Sequence, residues 1–294
     1  MKYIEINKAI KDINKTVALE TTIISHGLPY PQNLEIALEL ENIIKGNGCY
    51  PATIGLINGK IKIGLTKDEI KKFAVSENVV KASERDISKV ISEKKLGALT
   101  VAGTIKCCHL VNIDVFATGG IGGVHKEVLE TGDVSADLYS LAKHPVIVVS
   151  AGAKAILDLQ KTVELLETLS VPVIGFKTGE FPSFYSRSSN IKIEKASSVS
   201  EITRRFKIRK NLNDKGGILV ANPIPQEFEL NKKYVDNLIK IALNDMKKKG
   251  IKGKGVTPYL LNYLNTNSEN KTIEANLELV KNNVKVACEI AKNN

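Results

Sequence analysis

The sequence predicts an α/β fold built on a mostly parallel sheet covered by helices. Three observations predict it. Segments rich in β-branched residues alternate with segments of helical spacing along most of the chain. The middle strands, "LGALT", "IDVFA" and "HPVIVV", are apolar without alternation, as strands buried on both faces are. Glycines and other small residues follow these strands directly, where sheets of this class bind ligands.

The elements follow in chain order. "TVALETTII" is β-rich. "PQNLEIALELENIIKGNG" has helical spacing, with Leu34, Ala37, Leu38, Glu41 and Ile44 on one stripe and Gly46 or Gly48 as its stop. "YPATIGLINGKIKIGL" is a hairpin that turns at Asn58-Gly59. In "TKDEIKKFA", Thr66 and Glu69 form a capping box. "LGALTVAGTI" is a strand leading into a helix, and "IDVFATGGIGGVH" is a strand breaking into glycines. "HPVIVVSAGAKAILDLQKTVELLETLSVPVIGF" reads strand, helix, strand, with Lys154 near the helix start. After "FPSFYSRSS" the rhythm loosens, so a small excursion is expected around 185–215, with "RRFKIRK" as a solvated edge or loop. "GGILVANPIP", a charged helix "NKKYVDNLIKIALNDMKKKG" and a last helix in "IEANLELVKNNVKVACEIAKNN" complete one domain spanning 1–294.

Composition narrows the function classes. No apolar run approaches the roughly 20 residues of a membrane span. The N-terminus lacks the apolar core of a signal peptide. Four scattered cysteines do not make a disulfide framework, so a cytoplasmic location is expected. The net charge of +10 comes almost wholly from lysine, with five arginines in the chain. Arginine is the residue of bidentate phosphate and base contacts, so a small anionic substrate is expected rather than a nucleic acid.

Several residues carry candidate chemistry. Gly119, Gly120, Gly122 and Gly123 form either an anion-binding backbone loop or a tight turn needed for packing. Asp133 and Asp137 flank Ser135, near His125; they are candidates for a hard divalent ion, or for the cap and first turn of a helix. Cys107 and Cys108 read as packing residues, because no second Cys/His pair stands at metal spacing. Lys154 follows Ser-Ala-Gly-Ala; a helix start and partial burial would both favour the free amine that a Schiff base needs, and the other reading is a snorkelling surface lysine, one of 37 in the chain. Glu20 ends a strand among apolar and hydroxyl neighbours, a setting either for a raised pKa and a proton donor or for a strand-end salt bridge.

Together "ALETTIISHGLPYPQN", "TVAGT", "FATGGIGGVH", "GDVSADL", "SAGAKAILD", "GFKTGEFPSFYSRSS", "NPIP", "GKGVTPYLL" and "EANLELVKNN" closely resemble the pseudouridine-5′-phosphate glycosidase family, which includes indigoidine synthase A-like proteins. The resemblance runs from about residue 15 to the C-terminus. It implies reversible cleavage of the C–C glycosidic bond of pseudouridine 5′-phosphate to uracil and ribose 5-phosphate, through a lysine Schiff base, in pseudouridine catabolism. It also implies a three-layer α/β/α sandwich with a mixed, mostly parallel sheet, one manganese ion (Mn2+) per subunit and a homotrimer. By the same resemblance Lys154 is the nucleophile, Glu20 the proton donor and Asp133 the metal ligand. Lys81, Val101, Ser135, Ala136 and Asp137 bind substrate, with Lys81 and the glycine loop expected at its phosphate; Thr118, His125 and Asn276 line the pocket. Glu84 stands where the family has a basic residue, which implies weaker phosphate affinity, and Ser150 replaces a common cysteine. Another Schiff-base enzyme of aldolase type is the alternative chemistry for the same lysine.

Overall fold

In the computed structural model, residues 2–251 and 255–294 are described. Seven parallel strands form its centre, in the order β3 (Tyr50–Ile57), β2 (Thr16–Leu19), β7 (Val115–Ala117), β9 (Ile147–Ser150), β13 (Ile218–Ala221), β11 (Val173–Phe176) and β12 (Glu194–Ala196). The central strands β2, β7, β9 and β13 are buried along their whole length, as their unbroken apolar runs require. Strand β3 is long enough to serve two neighbourhoods. Its first half pairs with β2; its second half pairs antiparallel with β4 (Lys60–Ile63) and β6 (Gly97–Leu99). Strand β1 (Ile4–Ile6) extends β4, and β5 (Val80–Ala82) extends β6. The sheet is therefore mixed and mostly parallel.

Helices cover both faces. Helix α12 (Lys271–Asn293) packs across β2, β7 and β9 together with α2 (Gln32–Gly46) and α9 (Val199–Asn211). On the other face lie α5 (Val101–Leu110), α7 (Ala136–Lys143) and α8 (Leu159–Thr168). The remaining helices are α1 (Thr22–His26), α3 (Lys67–Val75), α4 (Ile87–Ser92), α6 (Val128–Thr131), α10 (Lys232–Lys248) and α11 (Val256–Asn267). A two-stranded ribbon of β8 (Val124–His125) and β10 (Leu157–Asp158) stands off the main sheet. The expected hairpin, the Thr66/Glu69 capping box and the helix stop after Gly46 are all present.

Three expectations are corrected. The β-rich run at 16–24 is strand only to Leu19; Thr21 then turns the chain into α1. Its hydroxyl donates to the Ile54 carbonyl and accepts from the Leu99 amide, joining β2 to β3 and β6. The segment at 185–215 is no excursion: β12 pairs with β11, and "RRFKIRK" lies on α9 with Phe206 fully buried. Finally, α8 begins at Leu159, so Lys154 is not at a helix start.

Candidate active site

The parallel strands end together, and Glu20, Thr118 and Lys154 stand at or just beyond those ends. Leu19 pairs in register with Ala117, so Glu20 and Thr118 are the next residues on neighbouring strands. The Thr118 hydroxyl donates to Glu20 Oε1 at 2.5 Å. Burial pushes the Glu20 carboxyl above the ordinary carboxylate range; Lys154 and the Thr118 hydrogen bond oppose this shift without cancelling it. Glu20 therefore holds its proton to higher pH than an exposed glutamate does.

Lys154 sits in the turn after β9 and faces the same cleft, a hollow of about 970 Å³. Its backbone is pinned at both sides: its amide donates to the Ile121 carbonyl at 3.1 Å, and its carbonyl accepts from Leu157 at 3.0 Å. Gly152 is in the left-handed region at φ 76°, and a Cβ there would come within 2.5 Å of the Pro182 carbonyl. The Ser150 hydroxyl donates to the Gly152 carbonyl and closes this turn. The small residues before Lys154 thus permit a tight bend that delivers the amine to the strand ends. That bend, not a helix terminus, places it.

The glycine loop packs closely and commits three of the amides along it, Gly122 alone among the four glycines, to partners within the protein. The Ile121 amide donates to Gly152, the Gly122 amide to Asp137 and the Val124 amide to Thr162. Those donors are therefore engaged within the protein, which removes them from the expected phosphate anchor. None of the four glycines has a positive φ. Added Cβ atoms would instead clash with Phe184 at Gly120, Ser135 at Gly122 and Thr162 at Gly123.

Ser135 caps α7 and Asp137 lies in its first turn. The Asp137 carboxylate is 6% exposed and accepts from the Ala102 amide at 2.9 Å and the Gly122 amide at 2.7 Å. It ties α5, α7 and the glycine loop into one wall. Ser135, Ala136, Val101 and Lys81 line that wall or face it. Lys81 is close enough to influence both Glu20 and His26. Ser83 and Arg85, which sequence reasoning passed over, line the cleft beside Lys81. Glu84 does not line the cleft. It accepts from Ser140 at 2.9 Å and pairs with His144 at 3.1 Å; burial alone would raise its pKa, but these contacts hold it below the ordinary value. The expectation that Glu84 weakens phosphate binding loses its geometric basis.

Asp133 is half-exposed at the outer part of the cleft, with His125 Nε2 3.7 Å from its carboxylate. Among the described residues no group of three or more His, Cys, Asp or Glu side chains converges on one point. One carboxylate with waters and substrate oxygens is still a donor set that a hard divalent ion accepts. Asn276 is on α12 behind the loop, against Gly119, and is not among the residues lining the cleft. Gly253 and Lys254 of "GKGVTPYLL" lie outside the described residues. Cys107 and Cys108 are buried; desolvation pushes the Cys107 thiol up to about 12, which suits packing rather than chemistry.

The chain resembles known proteins over nearly its whole length. The family described as "Indigoidine synthase A like protein" matches residues 5–293. A pseudouridine-5′-phosphate glycosidase from Caldanaerobacter subterraneus is 49% identical over 98% of this chain and 94% of its own. One from Glaesserella parasuis is 50% identical over 94% of this chain and 91% of its own. The crystal structure of an indigoidine synthase A-like protein from Thermotoga maritima superposes with a TM-score of 0.90 at 35% identity, covering 98% of this chain and 95% of that one. The prealnumycin C-glycosynthase AlnA, solved with ribulose 5-phosphate, superposes with a TM-score of 0.93 at 34% identity, covering 100% and 97%.

Proposed function

The chain belongs to the indigoidine synthase A-like family, and on that premise we propose that it is a pseudouridine-5′-phosphate glycosidase. It cleaves the C–C bond between uracil C5 and ribose C1′, giving uracil and ribose 5-phosphate. The observation that carries this reading is the pairing of Glu20, whose desolvated carboxyl is raised above the ordinary carboxylate range, with the pinned Lys154 in one cleft.

The chemistry follows from what the bond lacks. No heteroatom joins base to sugar, so protonating a leaving oxygen, the usual glycosidase device, does not apply directly. Ring opening breaks the C1′–O4′ bond: O4′ takes a proton and leaves as the C4′ hydroxyl, uracil N1–H gives one up, and the Lys154 amine bonds to the electrophilic C1′ that results, its own proton passing back to N1. Glu20 supplies the proton that C5 needs as the C1′–C5 bond breaks and its electron pair stays with the base. Water then hydrolyses the imine, freeing Lys154 and ribose 5-phosphate. Lys81, with Ser83 and Arg85 beside it, holds the phosphate. That remote contact positions C1′ against the amine.

Asp133, with His125 beside it, would hold Mn2+ in this reading. Bound there, the ion would polarise and orient substrate oxygens. Asp137 holds the wall instead, because its oxygens already serve two amides. A homotrimer and a cytoplasmic location complete the proposal; among the described residues no helix is long and apolar enough to cross a membrane. The test is uracil release from pseudouridine 5′-phosphate with added Mn2+ and with chelator. Release that depends on the metal supports the whole reading. Retro-aldol products without uracil would replace it.

A further inference from the structure

Helix α12 carries a fully buried asparagine in the middle of its apolar face. Asn283 stands among Leu279, Val280, Val284 and Ala287, where a leucine would pack without any polar group to satisfy. Its amide is fully used. Nδ2 donates to the Thr118 carbonyl at 2.8 Å and to the Gly119 carbonyl at 3.3 Å. Oδ1 accepts from Asn222 Nδ2 at 3.0 Å. Asn222 follows β13, is itself buried, and donates its backbone amide to the Ser150 carbonyl at 2.8 Å. Two asparagines therefore join the ends of β7, β9 and β13 from behind the cleft.

Each strand end leads to a reacting group. Thr118 bonds Glu20 through its hydroxyl, and its amide donates to Val149. With Asn283 on its carbonyl, the Thr118 peptide is held from both sides. The Gly119 carbonyl also accepts from Ala151, three residues before Lys154. Neither asparagine lines the cleft. We propose that Asn283, oriented by Asn222, is a positioning residue that sets the proton donor Glu20 against the reacting carbon through Thr118. The shorter bond goes to Thr118, so the acid is held more firmly by this clamp than the amine is.

This inference rests on the glycosidase reading, and the two fail in different ways. C–C cleavage needs both Glu20 and Lys154, whereas imine formation with ribose 5-phosphate needs the amine and no proton on uracil. The experiment measures kcat for uracil release, borohydride trapping of ribose 5-phosphate and thermal melting. The full-length proteins compared are the wild type, Asn283→Leu, Thr118→Val and the double variant. Each single substitution is expected to lower kcat about tenfold, and the double also about tenfold rather than about a hundredfold, because the two act along one path. Trapping stays within about threefold of wild type, since a hydrogen bond missing behind the acid leaves the amine in place. Asn222→Ser is the milder variant if Asn283→Leu does not fold: a smaller loss of kcat with trapping retained is expected. Multiplying losses in the double variant, trapping that falls in step with uracil release, or full kcat in Asn222→Ser would overturn the proposal. A wild type that traps ribose 5-phosphate but releases no uracil would overturn the glycosidase reading instead.

Discussion

Glu20 and Thr118 meet because β2 and β7 end in register: the pair Leu19–Ala117 is the last of the ladder, and the next two residues share a hydrogen bond. One residue of slip would turn either side chain to the opposite face of the sheet. The Glu20 carboxyl is therefore set by the register of the buried sheet and by the loops that lock it.

Replacing the acid tests its role. Glu20→Gln should lower kcat for uracil release by about 10²–10⁴, the usual worth of a general acid. In the wild type, kcat should fall as pH rises through the raised Glu20 pKa, because only the protonated form donates. A steady-state pH profile of both proteins checks this.

The same raised pKa has a stability consequence. A carboxyl that binds its proton more tightly folded than unfolded favours the fold below its unfolded pKa and loses that contribution as pH rises through its folded value. Burial raises Glu20, so its ionised form opposes folding at pH 8. Glu20→Gln should melt above the wild type at pH 8, and the advantage should shrink toward pH 5. Equal melting temperatures throughout would contradict the burial.

Asp133 and Asp137 should separate cleanly. Asp137→Asn puts an amide N–H against the Ala102 or Gly122 N–H, so one donor loses its acceptor. A cost of about 1–3 kcal/mol in stability is expected, with weaker turnover. Asp133→Asn touches no such bond and is half-exposed. It should leave the melting temperature unchanged and raise the Mn2+ concentration needed for half-maximal activity. Melting curves and metal titrations distinguish the two.

Glu84 should prove structural. Glu84→Gln should leave KM for pseudouridine 5′-phosphate within about twofold, since the carboxylate faces Ser140 and His144 rather than the cleft. Its hydrogen bonds hold its pKa down, against the effect of burial. A carboxyl of this kind stabilises above its unfolded pKa and loses the contribution as pH falls through its folded value. The variant should therefore lose about 1–2 kcal/mol at neutral pH and less toward pH 4. Chemical denaturation at several pH values measures it.

Local features were legible in the sequence. The Asn58-Gly59 turn, the Thr66/Glu69 box and the apolar strands depend on neighbours a few residues apart. Strand ends and small residues alone left Glu20 open to a salt bridge and Lys154 open to a solvated surface; the family resemblance of the motifs around them singled them out, and both line one cleft. Features set by long-range pairing were not. Helix α1 grows from Thr21, whose hydroxyl is taken by β3 and β6, some 30 and 80 residues away in sequence. Strand β12 is short and half-exposed, and only β11 reveals it. Asn283 gives one faint signal, a polar residue on an apolar helical face, and its partners lie about 60 and 165 residues away.

The central claim is a covalent link between Lys154 and the sugar. Wild-type enzyme turning over pseudouridine 5′-phosphate should be reduced with borohydride, digested and mapped by mass spectrometry. The account predicts a ribose-phosphate adduct on the peptide containing Lys154, free uracil in the supernatant, and neither from Lys154→Ala with an unchanged melting temperature. An adduct on another lysine, or uracil release from Lys154→Ala at the wild-type rate, would contradict it.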